Sequence, residues 1–217
     1  TAGGLRGADE FVSAYHDNPN TDFHTMVSEM AKIDRKKAKT INLGLFYGMG
    51  KGKLSSELGL SPGQAEDLFE KYHSRVPFVK EMIERTMKKA ADVGHVRTLL
   101  GRKCRFDLWE PSRYGVHRPL PRDEAEREHG KQIRRAFTYK ALNKIIQGSA
   151  ADMTKKAMAD LHDEGIIPHI QVHDELDCSF EDEVEKDRIL EIMRNAVQLE
   201  VPVKLDVEEG PSWGKAK

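Results

Sequence analysis

The sequence contains 217 residues, with 35 Lys and Arg against 36 Asp and Glu, so its net charge of −1 gives no overall basic character that would itself indicate a nucleic-acid partner. Hydrophobic residues make up 38% of the chain, which is enough to bury a core and excludes a disordered protein. No apolar run approaches the ~18 residues of a membrane span, so we expect no membrane partner.

The cysteine content indicates a reducing environment. Cys104 and Cys178 are too few for a disulfide framework and show no metal-ligand spacing. We therefore expect two reduced thiols in an intracellular, cytoplasmic protein. The first residue is Thr1 and not Met, which leads us to expect a piece of a longer protein or a chain that has lost a leading segment.

Cap and turn residues predict a first half made of helices. Asp34 and Ser61 are suited to begin helices, while Gly59 and Gly94 follow periodic segments and are suited to end them. The predicted helices cover a short segment near 11–15, then 23–31 with Thr21 or Asp22 as its cap, 34–47, 53–58, and a pattern over 62–93 that Pro77 should break or kink.

The second half is predicted to mix strands with helices. Hairpins are predicted at 95–106 and at 166–180, the second around His173-Asp174-Glu175. The other predicted segments are an irregular loop over 107–130, a long helix over 131–162 bent or interrupted near Gly148, a helix over 183–199 and a closing strand over 201–207. These elements predict an α+β fold divided near residue 94.

The segment 34–48 contains the sharpest local pattern. Arg35, Lys39, Leu43 and Tyr47 recur every four residues, so they are expected to lie along one stripe of a helix. Cationic side chains neutralise phosphates, and apolar or aromatic ones contact sugar and base, so the stripe fits a nucleoside triphosphate. The spacing alone leaves two other interpretations open: an amphipathic helix with a charged outer face and a core-facing aromatic residue, or a basic localisation patch.

A pair of acids occupies the tip of the second predicted hairpin. Asp174 and Glu175 bring together oxygen ligands of the kind that Mg²⁺ prefers, with water and substrate phosphates completing its coordination. Val172 and Leu176 flank the pair and should press it between apolar strands, where an unpaired charge is costly. A solvated acidic turn without function remains an equal alternative.

Two further segments lie between these patterns, 98–102 with the sequence Thr-Leu-Leu-Gly-Arg and 143–152 with the sequence Asn-Lys-Ile-Ile-Gln-Gly-Ser-Ala-Ala-Asp. Taken in order with the helix 34–48 and Val-His-Asp-Glu at 172–175, they resemble the motifs of family A DNA polymerases, the group of bacterial polymerase I and its phage relatives. Asp-Phe-His at 22–24 resembles the Asp-Ile-His that precedes the family's helix motif. The resemblance covers nearly the whole chain, and the short distance from this segment to Arg35 is similar to that of phage members.

The resemblance implies three groups of site residues. The nucleotide-binding residues would be His24, Arg35, Lys39, Leu43 and Tyr47. The primer-template contacts would be Arg102, Asn143, Gln147 and His173. The metal ligands would be Asp174 and Glu175, and the catalytic group would be these two acids with Lys39. In the family's terms, residues 1–93 would be helical fingers and 94–217 part of an antiparallel-sheet palm with packed helices.

The resemblance also implies the reaction and its partners. A primer 3′-hydroxyl would attack the α-phosphorus of a deoxynucleoside triphosphate and release pyrophosphate, assisted by two Mg²⁺ ions. The expected partners are primer-template DNA, the triphosphates and an N-terminal polymerase segment carrying the thumb and the other catalytic Asp, because residues 1–20 contain no similar acidic strand. We therefore expect this chain alone to be incomplete and inactive, and to act in the cytoplasm, that of the host if it comes from a phage.

Two positions depart from the family pattern, and two other functions remain as alternatives. Leu43 stands where the family usually has Phe or Tyr, at a position linked to sugar discrimination, and Tyr139 stands where a basic residue is common. The first alternative is a polymerase-derived module that binds primer-template without chemistry. The second is a hydrolase with a transition metal at His169, His173 and Asp174, for which a convincing set of ligands is lacking.

Overall fold

A computed structural model describes residues 4–216 with the exception of Tyr47, Gly48 and Tyr114. Tyr47, the last residue of the predicted stripe, and Gly48, the predicted end of its helix, therefore lie outside the described residues. The described residues form two compact units, one containing 4–9 and 21–148 and the other containing 10–20 and 149–216. The boundary expected at residue 94 is a functional division and stays a prediction.

Helices and short antiparallel strands make up the described residues, which confirms the α+β class. The helices are α1 Ala8–Asp17, α2 Phe23–Ala31, α3 Arg35–Phe46, α4 Lys51–Leu58, α5 Pro62–Arg75, α6 Pro77–Val93, α7 Arg122–His129, α8 Ala141–Asp163 and α9 Glu183–Asn195. The strands are β1 His95–Arg97, β2 Lys103–Arg105, β3 Leu108–Pro111, β4 Leu120–Pro121, β5 Ile133–Arg135, β6 Ile170–Val172 and β7 Glu175–Asp177. Throughout the described part of the chain, each helix is too short or too polar to cross a membrane.

The predicted cap residues begin and end the helices of the first half. The Asp22 carboxylate accepts hydrogen bonds from the backbone N–H groups of His24 and Thr25, at 2.7 and 3.1 Å, and so begins α2. Ser61 forms a reciprocal capping box with Gln64 at the start of α5. Short-range signals of this kind, in which donor and acceptor are a few residues apart, place the helices of this half correctly.

The core of the larger unit contains clusters of buried side chains. Its helices α2 to α5 pack around Val27, Ile41, Leu54 and Tyr72, which are almost completely buried. A second cluster joins α6 to the β1–β2 hairpin and to the start of α8, and consists of Ala90, Val96, Phe106 and Ala141. The hairpin predicted at 95–106 is therefore confirmed. It packs against α6, the helix that precedes it.

The prediction of an irregular loop over 107–130 is wrong. Strand β3 pairs with β4 on one side and with β5 on the other, and α7 packs against this sheet. The guanidinium carbons of Arg122 and Arg135 lie 5.1 and 4.6 Å from the ring centroid of Trp109 in β3. These strands are two to four residues long and pair with segments distant in sequence. No periodic pattern in the sequence therefore predicts them.

The long helix of the second half also differs from its prediction. Residues 133–135 form β5, so α8 begins only at Ala141, and it then continues through Gly148 to Asp163 without a break. A Cβ atom at Gly148 would lie 2.6 Å from Cγ2 of Thr98. Gly148 therefore provides space for the 95–106 hairpin to pack on the helix, and it does not end the helix.

The smaller unit contains the predicted 166–180 hairpin in a shorter form, since only β6 and β7 are paired. The helix predicted over 183–199 is confirmed as α9, which ends earlier, at Asn195. The closing strand predicted over 201–207 is wrong. A strand requires a backbone partner, and among the described residues none pairs with this segment, although its alternating valines fit the pattern of a strand.

Candidate functional site

The cationic stripe on α3 faces solvent. Arg35, Lys39 and Leu43 are all exposed, and Leu43 keeps 39% of its surface accessible despite being apolar. The adjoining face of the same helix, with Ala38 and Ile41, is fully buried. These three residues are therefore available to a ligand and are not part of the core, whereas the fourth residue of the stripe lies outside the described residues.

Arg35 is held in place by the start of α2. One of its terminal nitrogens forms an ion pair with Asp22, and its Nε donates to Thr25 Oγ1 at 3.1 Å. The hydrogen bond from Arg35, followed by that from the Thr25 backbone, lowers the pKa of Asp22 from 3.8 to about 2. Because a guanidinium carries five N–H groups, these two bonds orient Arg35 and leave further donors for a phosphate.

His24 lies beside the stripe and is connected to the core. Its Nδ1 is 2.9 Å from Nδ2 of Asn42, and the Oδ1 of that amide accepts a 2.7 Å hydrogen bond from the hydroxyl of Tyr72. Burial lowers the pKa of His24 below its usual value, and the positive charges of Arg35 and Lys39 act in the same direction, against the charge of Asp22. The sequence motifs do not indicate this connection. A buried polar residue on a helix face that is otherwise apolar is the signal that would have indicated it.

Within the larger unit, the motif at 98–102 contacts residue Gly148 of the motif at 143–152. The Thr98 hydroxyl accepts from the Arg102 backbone N–H at 3.0 Å, and Gly101 adopts a φ of 87° that favours glycine. The Arg102 guanidinium donates to the Gly148 carbonyl at 2.8 Å, which joins the turn to α8. Of the predicted primer-template residues on α8, Asn143 is half-buried and Gln147 is exposed.

The acidic pair lies where a two-residue turn meets β7. Val172 pairs with Glu175, so His173 and Asp174 form the turn, and His173 has a φ of 54°. Asp174 and Glu175 are exposed, as is every residue of β6. The expectation that apolar strands would enclose the acids is therefore wrong, because each strand has three residues and, among the described residues, no third strand pairs with them.

The donor set at the hairpin suits a hard cation that keeps much of its water. Asp174 and Glu175 supply carboxylate oxygens open to solvent, which fits Mg²⁺ better than a transition metal. Among the described residues, no group of three or more His, Cys, Asp and Glu side chains is placed to hold a metal ion. His169 contacts Ser179 at 3.0 Å, so the alternative of a hydrolase with a histidine-bound metal gains no support.

Cationic side chains for phosphates and carboxylates for metal ions are features that nucleotide-polymerising enzymes combine. The model of DNA polymerase family A matches residues 8–215, and the chain belongs to this family. It is 37% identical over 190 residues to the thermostable DNA polymerase I of Thermus filiformis, a match that covers 84% of this chain and 21% of that protein.

A phage relative and a solved structure are also similar. The DNA-directed DNA polymerase of Pseudomonas phage M6 is 37% identical over 236 residues, covering 92% of this chain and 32% of that protein. The polymerase domain of Pol1 from M. smegmatis, solved in complex with DNA primer-template and dNTP, superimposes with a TM-score of 0.73 at 29% identity, over 94% of this chain and 36% of that one. The chain thus spans about a third or less of the length of these relatives.

Proposed function

We propose that this chain is the C-terminal part of a template-directed DNA polymerase that adds deoxynucleotides to a primer 3′ end. Family membership supports the class, and the solved neighbour is a polymerase domain in complex with primer-template and dNTP. The observation that carries the proposal is the exposed row of Arg35, Lys39 and Leu43 on α3, with His24 beside it. These three side chains lie outside the core, and their chemistry suits a triphosphate.

In this proposal the triphosphate lies along α3. Lys39 provides a compact charge for its phosphates, and Arg35, oriented by Asp22 and Thr25, provides a planar set of donors. The exposed Leu43 side chain lies against the sugar. The motif predicts that Tyr47 would sit beside the nascent base pair.

The acidic hairpin supplies the catalytic carboxylates. Asp174 would hold Mg²⁺ with support from Glu175, and such ions neutralise the charge that develops on the phosphates and favour ionisation of the primer hydroxyl. The exposure of both carboxylates supports this role, because the hairpin can be approached by substrate and by a further acid. His173, Arg102, Asn143 and Gln147 would contact primer and template.

The second catalytic Asp and the thumb would come from an N-terminal polymerase segment. The phage M6 relative is about three times as long as the part that matches, which supports a larger complete enzyme. The fingers in this proposal are residues 1–93 and the palm residues 94–217. A non-catalytic module that binds primer-template remains the competing function.

Primer extension by the assembled protein tests the proposal. Asp174→Asn should abolish nucleotide incorporation and retain DNA binding, because it removes one charge at an exposed turn. Asp187→Asn, which changes an exposed carboxylate on α9 of the same unit, should leave both unchanged. Equal extension by the two variants would overturn the catalytic role of the hairpin, and DNA binding without extension by the unaltered protein would establish the non-catalytic module.

A further inference from the structure

The amide of Asn42 connects the predicted phosphate-binding histidine to a buried tyrosine. Asn42 and Tyr72 are both 0% exposed, while His24 is partly accessible at the edge of the stripe. Asn42 follows Arg35 by seven residues, or about two helical turns, so it lies on α3 where the stripe borders the core. The connection therefore leads from the interior of the larger unit to its nucleotide-binding surface.

The hydroxyl of Tyr72 determines the orientation of this amide. Among the described residues its hydroxyl has one hydrogen-bond partner, Asn42 Oδ1 at 2.7 Å. If the amide were rotated, its NH₂ group would face the hydroxyl, and the buried O–H would lose its acceptor, which is costly. Burial also raises the pKa of Tyr72, so the hydroxyl keeps its proton and remains a donor. The amide NH₂ group is thus directed towards His24.

The oriented amide in turn determines where His24 carries its proton. An NH₂ group donates and does not accept, so Nδ1 of His24, 2.9 Å away, must accept and carry no proton. We propose that Asn42, oriented by the Tyr72 hydroxyl, is a positioning residue that keeps His24 as the tautomer with its proton on Nε2. His24 then donates a hydrogen bond from Nε2 to the triphosphate. This inference rests on the proposed function, in which His24 contacts that ligand.

Burial and the positive charges of Arg35 and Lys39 favour the neutral imidazole of His24, and the negative charge of Asp22 opposes them. Asp22 precedes it on its own helix, Arg35 and Lys39 face it from α3, and α5 contributes the uncharged Tyr72 hydroxyl. An imidazolium would place an N–H on Nδ1 against the N–H donors of Asn42, so the amide disfavours the cation. Because the neutral tautomer keeps its Nε2 proton as the pH rises, His24 remains a donor over the working range of a polymerase.

Replacing the amide by a carboxylate should reverse this preference. In Asn42→Asp the carboxylate accepts from Nδ1–H and attracts positive charge, so it raises the pKa of His24. Below that pKa the imidazolium still donates from Nε2. Above it the proton stays on Nδ1, and the Nε2 lone pair then faces the phosphate. In Asn42→Asp the KM for the nucleotide should therefore rise about 10- to 100-fold as the pH rises, because one hydrogen bond to a charged group is lost. In the unaltered protein the KM should not change with pH.

Two measurements on the assembled protein test the inference. Imidazole ¹⁵N chemical shifts, with His24 assigned by a His24→Gln variant, should show a protonated Nε2 in the unaltered protein and a protonated Nδ1 in Asn42→Asp. Tyr72→Phe removes only the hydroxyl and should give a mixture of both tautomers, which keeps the test decisive if Asn42→Asp does not fold. Asn195→Asp, an isosteric change of an exposed amide on α9, should alter neither the shifts nor the pH profile.

The outcomes separate this inference from the proposed function. A protonated Nδ1 in the unaltered protein, or shifts that neither variant changes, would overturn the role of Asn42 and Tyr72 even if the protein extends primers normally. The expected tautomers together with an unchanged nucleotide KM in His24→Gln would overturn the contact between His24 and the triphosphate, and with it the nucleotide role of this surface.

Discussion

At the scale of single residues, a comparison of variants at two lysines on α3 distinguishes specific phosphate binding from a general effect of positive charge. Lys39 belongs to the exposed row, whereas Lys37 is two residues earlier and so about 200° away around the helix. Lys39→Ala should lower kcat/KM for the nucleotide about 10- to 100-fold, the effect of losing a hydrogen bond to a charged group. Lys39→Arg should restore only part of it, because a guanidinium is larger and planar.

Lys37→Ala serves as the control for this comparison. It removes the same charge from the same helix, and we expect its steady-state nucleotide kinetics to match those of the unaltered protein. If Lys37→Ala and Lys39→Ala lower kcat/KM equally, the contribution of α3 is a diffuse electrostatic attraction and no specific contact with the triphosphate exists.

A second prediction at this scale concerns acid stability. The pKa of Asp22 is 3.8 when unperturbed and about 2 in the folded chain, so ionised Asp22 stabilises the fold above pH 3.8, and this stabilisation is lost as the pH falls towards 2. Asp22→Asn keeps an acceptor for the start of α2 but removes the charge that pairs with Arg35. Since the pair is half exposed, the charge contributes at most about 1 kcal/mol.

Urea unfolding at a series of pH values measures this contribution. At pH 5 the unaltered protein should be more stable than Asp22→Asn, and the difference in the free energy of unfolding should vanish as the pH approaches 2. A difference that stays constant over this range would show that the charge of Asp22 does not stabilise the fold through Arg35.

At the scale of elements, the close packing of the 95–106 hairpin on α8 favours glycine at position 148. Replacing a glycine within a helix by alanine ordinarily stabilises it by about 1 kcal/mol. At Gly148 the new methyl group would meet Cγ2 of Thr98, which is β-branched and 5% exposed, at 2.6 Å. We therefore expect Gly148→Ala to lower the free energy of unfolding by about 1 to 3 kcal/mol, the usual cost of overpacking.

Two further variants make this prediction specific. Thr98→Ser removes Cγ2 but keeps the hydroxyl that accepts from the Arg102 backbone, so it should restore much of the lost stability in the Gly148→Ala background. Gly63→Ala on α5, where a methyl group meets no atom within 4 Å, should be neutral or stabilising. A double-mutant cycle with no coupling between positions 98 and 148 would contradict the contact.

The elements also show what a single sequence can and cannot predict here. Caps such as Asp22 and Ser61 act on backbone groups two or three residues away, so the sequence locates the helices that they begin. Strand β3 depends on partners that follow it by about ten and by more than twenty residues, and Arg135 reaches back to the carbonyls of Ala91 and Phe106. Such pairings leave no periodic trace, and the 107–135 sheet was missed for that reason.

For the candidate site too, the sequence predicts some features and not others. The four-residue spacing of the row on α3 and the pair of acids are both visible in the sequence, and the family motifs name the residues. The connection from Tyr72 through Asn42 to His24 spans 48 residues and passes through the core. The polar Asn42 on an apolar helix face signals a buried polar contact, but only the packing of α2, α3 and α5 determines its partners.

At the scale of the whole molecule, the proposed function requires more carboxylates than the acidic hairpin provides. Among the described residues β6 and β7 form a sheet of two strands, and on one face the exposed Ile170 and Val172 lie opposite Asp177 and Glu175. Two-metal nucleotidyl transfer requires carboxylates from more than one segment. Separately, exposed strand edges with apolar residues favour association between chains. A strand carrying a second Asp would supply the missing ligand and cover this surface at once.

We therefore predict that the 217-residue chain alone extends no primer and associates in solution, and that an N-terminal polymerase segment with the second Asp restores both activity and a defined size. Primer extension with Mg²⁺ and gel filtration, each with and without that segment, measure the two properties on the same samples. Val172→Thr, which reduces the apolar surface of β6 and retains a β-branched residue, should decrease association of the chain alone without making it active. Mg²⁺-dependent extension by the purified chain alone would contradict the prediction and would mean that a second acid within the chain, such as Asp152 or Asp177, completes the site.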